Sequence, residues 1–107
     1  MGDYNLAESM ENRDGLIWFD GEFVDWKSAN IHILNHGLHY ASSVFEGERS
    51  YSGKIFKVRE HTERLFSSAD ALDIKIPFSI DQIIDASYES IKLNNLEDVY
   101  LRPIVWR

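Results

Sequence analysis

Two turn dipeptides, Asp20-Gly21 and Ser52-Gly53, constrain the first half of the chain most, because each stands between short runs of β-branched and aromatic residues. Ile17, Trp18 and Phe19 precede the first turn, and Phe23 and Val24 follow it, so Leu16 to Trp26 reads as a hairpin. Val44 to Tyr51 and Lys54 to Val58 flank the second turn and predict another. Between the two, Asn35 and Gly37 interrupt any helical stripe, and Lys27 to Tyr40 is expected to be a loop with a short helical turn.

The period then changes. Leu65, Ala69 and Leu72 fall at helical spacing within Arg59 to Leu72, a stretch free of Gly and Pro. Ser79, with Gln82 three residues later, has the form of a capping box, and Ile80, Ile83, Ile84, Tyr88 and Ile91 make an apolar stripe that Asn94-Asn95 can stop. Val99 to Trp106 alternates as a strand with Tyr100 and Arg102 on one face, and Pro103 predicts a sheet edge or the end of a ladder. The order ββ, ββ, α, α, β predicts an α+β fold, a mainly antiparallel sheet with two helices on one face. At 107 residues, 44% of them hydrophobic, the chain can bury one core. Residues 16–107 are expected to form it, with the polar residues 1–15 as a loose leader.

A net charge of −7 provides no basic footprint for nucleic acid or an anionic membrane, and neither partner is expected. The absence of cysteine excludes thiol and disulfide chemistry. Apolar residues are too dispersed for a membrane span or a signal-peptide core, and a cytoplasmic protein is expected. There is no G-x-S-x-G and no closely spaced glycine run, so hydrolase and P-loop chemistries fall away. His32, His36 and His39 would stack on one face of a helix, but Asn35-Gly37 opposes that helix; structural histidines hydrogen-bonded in a loop, and no metal, are the expectation.

Four further features have two readings each. Arg64, one turn before Ser67-Ser68, could clamp a phosphate or pair with Glu60 four residues earlier, and spacing alone favours the pair. Tyr100 and Arg102 could meet a carboxylate or simply border a sheet. Phe45 and Tyr40 could be ordinary packed aromatics.

The stretch His36-Gly-Leu-His-Tyr-Ala-Ser-Ser-Val-Phe-Glu-Gly47, followed by Arg49, closely resembles the segment H-x-L-H-Y-G-x-x-V-F-E-G-x-R of branched-chain amino acid aminotransferases. Trp18-Phe-Asp-Gly-Glu22, Arg59-Glu-His-Thr-Glu-Arg-Leu65, Asn94-Asn-Leu96 and Tyr100-Leu-Arg-Pro103 extend the resemblance over Ile17 to Trp106. It implies the small N-terminal domain of a fold-type IV enzyme that holds pyridoxal 5′-phosphate as a Schiff base on a lysine of a second, larger domain. Carried over by position, Arg64 matches the arginine on the cofactor phosphate. Phe45 matches the aromatic wall of the side-chain pocket, Tyr100 the tyrosine at the substrate carboxylate, and Arg102 the arginine for the distal carboxylate of glutamate or 2-oxoglutarate. Tyr40 matches a tyrosine given across a dimer interface.

The implied activity moves an amino group between Leu, Ile or Val and 2-oxoglutarate, in branched-chain amino acid biosynthesis, as a homo-oligomer. A D-amino acid aminotransferase or an aminodeoxychorismate lyase-like enzyme is the sister reading, and a truncated non-catalytic dimerisation module the reading from another class. Glu48 stands where the family usually has an apolar residue. None of Lys27, Lys54, Lys57, Lys75 and Lys92 lies in a segment resembling the cofactor-lysine region, which is expected after Arg107. The chain by itself therefore supplies no catalytic residue and is expected not to transaminate.

Overall fold

Asp20 and Gly21 adopt φ 55° and 97°, the pair of positive values that a two-residue type I′ turn requires. In the computed structural model, which describes residues 10–107, they join β1 (Leu16–Phe19) to β2 (Glu22–Asp25), with Ile17 opposite Val24 and Trp18 opposite Phe23. Ser52 and Gly53, also at positive φ, join β4 (Glu48–Tyr51) to β5 (Lys54–Ile55). Both expected hairpins are present. Of the expected leader, residues 1–9 lie outside the described residues; Met10–Asn12 form one 3-10 turn, and the Met10 carbonyl accepts the Trp26 indole N–H at 2.6 Å.

The strand expected over 44–51 is in two pieces. β3 (Ser43–Phe45) pairs with β7 (Ile104–Trp106), whereas β4 pairs with β5 and β6 (Val99–Leu101). The chain thus changes ladder at Glu46-Gly47 and again at Arg102-Pro103. Pro103 has no N–H to continue a ladder, and its carbonyl accepts the Glu46 N–H at 3.0 Å, which ties the two breaks together. The strand expected over 54–58 also stops short, because Lys57 turns to φ 52° and Val58 already begins helix α2 (Val58–Ala71), after α1 (His36–Tyr40). The fold is α+β and antiparallel as expected, but among the described residues it is built from ladders of two, two and three strands.

Helix α3 (Ile80–Leu93) opens with the complete capping box: Ser79 Oγ accepts the Gln82 N–H at 3.1 Å, and Gln82 Oε1 accepts the Ser79 N–H at 2.8 Å. α2 packs on α3 and on β3, and α3 packs on β1. Leu65 and Ala69 of α2, Ile83 and Ile91 of α3, and Ile55 of β5 are the buried apolar residues. Leu72, expected in the α2 stripe, is 42% exposed because the helix ends there and the chain turns away. No helix among the described residues is long and apolar enough to cross a membrane.

Asn94 caps α3 and also docks the first hairpin. Its Oδ1 accepts the Leu16 N–H at 2.8 Å, and its Nδ2 donates to the Leu16 and Ser90 carbonyls at 3.0 and 2.8 Å. One side-chain amide thereby satisfies both backbone groups of a β1 residue, as a neighbouring strand would. Asn94→Ala is expected to destabilise the fold by about 1–3 kcal/mol, since it leaves those part-buried groups without partners. Equilibrium denaturation would show this as a lower midpoint at unchanged slope.

Candidate functional site

The change of ladder leaves Glu46 and Gly47 outside regular pairing just after Phe45, the last paired residue of β3, and side chains from α2, from β6 and from the break at Arg102 converge on this tripeptide. Glu46 is 5% exposed and so needs partners for its carboxylate. It finds them on α2, where His61 and Arg64, three residues apart, share a face. Arg64 Nε donates to Oε2 at 2.8 Å, Arg64 Nη2 donates to Oε1 at 2.8 Å, and His61 Nδ1 lies 2.7 Å from Oε1. The guanidinium holds the Glu46 carboxyl below the usual carboxylate range; burial opposes this, and His61 adds to it. An ionised carboxylate only accepts, so His61 Nδ1 carries the proton of that bond. Arg64 is in turn pushed further toward its charged form by the same pair. The partner suggested by spacing, Glu60, is not the one that forms, because a desolvated acid gains more from the guanidinium than a solvated one does.

Phe45 and Gly47 each meet a different side chain. The Arg102 guanidinium carbon lies 3.7 Å from the centroid of the half-exposed Phe45 ring, a cation–π stack, and Arg102 has no ion pair or hydrogen bond among the described residues. The Tyr100 ring covers Gly47: a Cβ there would sit 2.9 Å from Tyr100 Oη and 3.2 Å from its Cε2, so any larger residue would displace the end of the ring. Gly47 thus lets the Tyr100 ring lie directly against the backbone. Thus four of the expected site residues, Phe45, Arg64, Tyr100 and Arg102, lie in or against one tripeptide. The fifth does not: Tyr40 ends α1, is 73% exposed, and packs its ring on His36 at 4.5 Å, with no bond or ring contact to the other four.

His36 and His39 lie in α1, which Asn35 caps rather than prevents, and His32 precedes it; the three behave as structural residues. His36 Nδ1 lies 2.6 Å from Ser42 Oγ, His39 Nε2 lies 2.7 Å from the Ile33 carbonyl, and His32 Nδ1 accepts the Leu34 N–H at 3.0 Å. Among the described residues, no group of three His, Asp or Glu could hold a metal ion.

Glu48, the residue that departs from the family pattern, is 2% exposed, and neither carboxyl oxygen has a hydrogen-bond partner. Burial pushes its carboxyl above the usual range; the nearby His61 partly offsets this, and Glu46 adds to it. Sequence reading missed the roles of Glu46 and His61. The available signal was a pair of basic residues at helical spacing with an acid at the end of an apolar run, but the contact spans 18 residues and no local rule pairs them.

The model of the amino-transferase class IV family matches residues 43–107, which contain both changes of ladder and Phe45, Glu46, His61, Arg64, Tyr100 and Arg102, and the chain belongs to that family. It is 54% identical over 90 residues to the Rickettsia felis protein named "Probable branched-chain-amino-acid aminotransferase", covering 84% of this chain and 31% of that protein. Among solved structures, Escherichia coli branched-chain amino acid aminotransferase superimposes with a TM-score of 0.84 at 40% identity, covering 88% of this chain and 33% of that one. The T.th. branched-chain amino acid aminotransferase complexed with N-(5′-phosphopyridoxyl)-L-glutamate does so at 0.83 and 39%, with the same coverage. The chain thus spans about a third of the length of these relatives.

Proposed function

We propose that this chain forms the arginine-bearing half of a pyridoxal 5′-phosphate-dependent aminotransferase that exchanges an amino group between branched-chain amino acids and 2-oxoglutarate. The observation that carries the reading is the convergence on Phe45-Glu46-Gly47 of a half-bonded guanidinium, Arg64, and a second guanidinium without an acid partner, Arg102. Arg64 suits the phosphate end of the cofactor, since its outer edge is open and its side chain is 67% exposed. When bound, that cofactor supplies the electron sink for the α-carbon. The residues of this chain bind and orient. Phe45 offers apolar area to a branched side chain, Tyr100 a hydroxyl to a substrate carboxylate, and Arg102 a charge to a distal one. Because Arg102 rests on Phe45, an apolar and an acidic substrate can use the same place in turn. The lysine that carries the cofactor is assigned to the second domain, so residues 1–107 alone do not turn over in this reading.

Tyr40 is assigned to a contact with a second subunit. Ile33, Leu34 and Leu38 beside it are 69%, 73% and 57% exposed, an apolar patch of the kind that subunits bury. We assign the protein to the cytoplasm. The sister reading, a D-amino acid transaminase or lyase-like enzyme, is less favoured because the matched relatives carry branched-chain names at 54% and 40% identity.

A substrate split tests the assignment of Arg102. Residues 16–107 replace the corresponding third of the E. coli enzyme, with and without Arg102→Met. The expected result is a KM for 2-oxoglutarate raised about tenfold or more, the loss of one charge-assisted contact, with the KM for leucine within about twofold. Equal changes for both substrates would contradict it.

A further inference from the structure

We propose that Glu46 is a positioning residue: it fixes the Arg64 guanidinium so that its outer edge faces an incoming phosphate. The proposal rests on the reading of Arg64 as the phosphate contact and adds the residue that makes it effective. An arginine on an exposed helix face samples many rotamers, and a binding arginine must lose that freedom each time it binds. Here the loss is met within the fold. Glu46 takes Nε and one N–H of Nη2, the side edge of the guanidinium, at 2.8 Å each. A guanidinium has five N–H donors, so three remain: both on Nη1 and the second on Nη2. Two of these, one on Nη1 and one on Nη2, form the end-on edge, where two phosphate oxygens can be received in parallel. No residue among those described occupies that edge.

Glu46 can do this because it is itself immobile. It is 5% exposed, its backbone N–H is bonded to the Pro103 carbonyl at 3.0 Å, and Oε1 is also held by His61 at 2.7 Å. The carboxylate is therefore buried behind the guanidinium, with its charge shared among donors from α2. An alternative role for the same acid is simple neutralisation, and the two roles predict opposite signs. A positioning acid raises anion affinity, whereas a neutralising acid lowers it, so removing the charge separates them.

The test uses the 15N-labelled 107-residue chain and inorganic phosphate as the probe. Phosphate-induced shifts of the backbone amides around Glu46 and Arg64 are followed by NMR, with each variant's overall spectrum as its fold control. In the unsubstituted chain the Arg64 Nε–H is expected to be as ordered as the helix backbone. Glu46→Gln is expected to raise the half-saturating phosphate concentration about tenfold, and Glu46→Asp, which keeps the charge, to recover part of the loss. An unchanged or lower concentration in Glu46→Gln, alongside a response abolished by Arg64→Met, overturns the role of Glu46 and leaves that of Arg64 standing. A response that survives Arg64→Met overturns both. Should Glu46→Gln fail to fold, the Nε relaxation of the unsubstituted chain decides alone: a guanidinium that tumbles freely about its side-chain bonds overturns the proposal.

Discussion

Glu48→Leu is expected to stabilise the fold by about 2 kcal/mol near neutral pH. The side chain is 2% exposed on β4, opposite Leu101, and both carboxyl oxygens lack partners, so the native residue carries a desolvation cost that no hydrogen bond offsets. Leucine has similar bulk and no polar atoms to desolvate. The gain must depend on pH, with a definite sign. Burial raises the Glu48 carboxyl above its ordinary range, so the folded chain binds that proton more tightly than the unfolded chain does. The contribution of Glu48 is thus most favourable below the ordinary glutamate value and is lost as pH rises through the raised one. The advantage of Glu48→Leu should therefore grow as pH rises through that window and then level off. Glu46 has the opposite sign: Arg64 depresses its carboxyl, so its contribution is present above the ordinary range and lost as pH falls through the lowered value. Denaturation of the two single variants across pH separates the contributions, and a Glu48→Leu chain less stable than the parent at neutral pH would contradict the account of Glu48.

Leu65→Ala is expected to cost about 3 to 5 kcal/mol, a large share of what a domain of this size has. Leu65 is 2% exposed on α2, a helix that packs against α3 and β3, and it adjoins Arg64 in sequence. Its removal leaves a cavity among the few fully buried apolar side chains. Leu72 supplies the internal control. At 42% exposure beyond the end of the helix, Leu72→Ala should change stability by no more than about 1 kcal/mol. Similar losses at the two positions would show that the core does not centre on α2.

The elements readable from sequence were those with local causes. Asp20-Gly21 and Ser52-Gly53 determined their hairpins through backbone sterics, and Ser79 with Gln82 marked the start of α3 through a bond spanning three residues. Pro103 marked the end of one ladder through its missing N–H, whereas the change at Glu46-Gly47 left no comparable trace, because side chains keep alternating whichever strand lies alongside. Leu72 fitted the helical period, yet the chain had already turned. The same division holds at the site. Arg64, Phe45, Tyr100 and Arg102 were singled out through a family pattern, whereas spacing alone assigned Arg64 to the wrong acid. What their grouping depends on, a buried Glu46 facing α2, is a tertiary contact that becomes visible only when the two breaks are folded against each other.

The most direct test of the central claim is leucine-dependent conversion of 2-oxoglutarate to glutamate, measured with added pyridoxal 5′-phosphate. It compares residues 1–107 alone with residues 16–107 joined to the C-terminal two-thirds of the E. coli enzyme. The account predicts turnover by the joined protein and none by the 107-residue chain. A joined protein that folds and binds the cofactor yet fails to turn over leucine, or a 107-residue chain that transaminates through one of its own lysines, would contradict it.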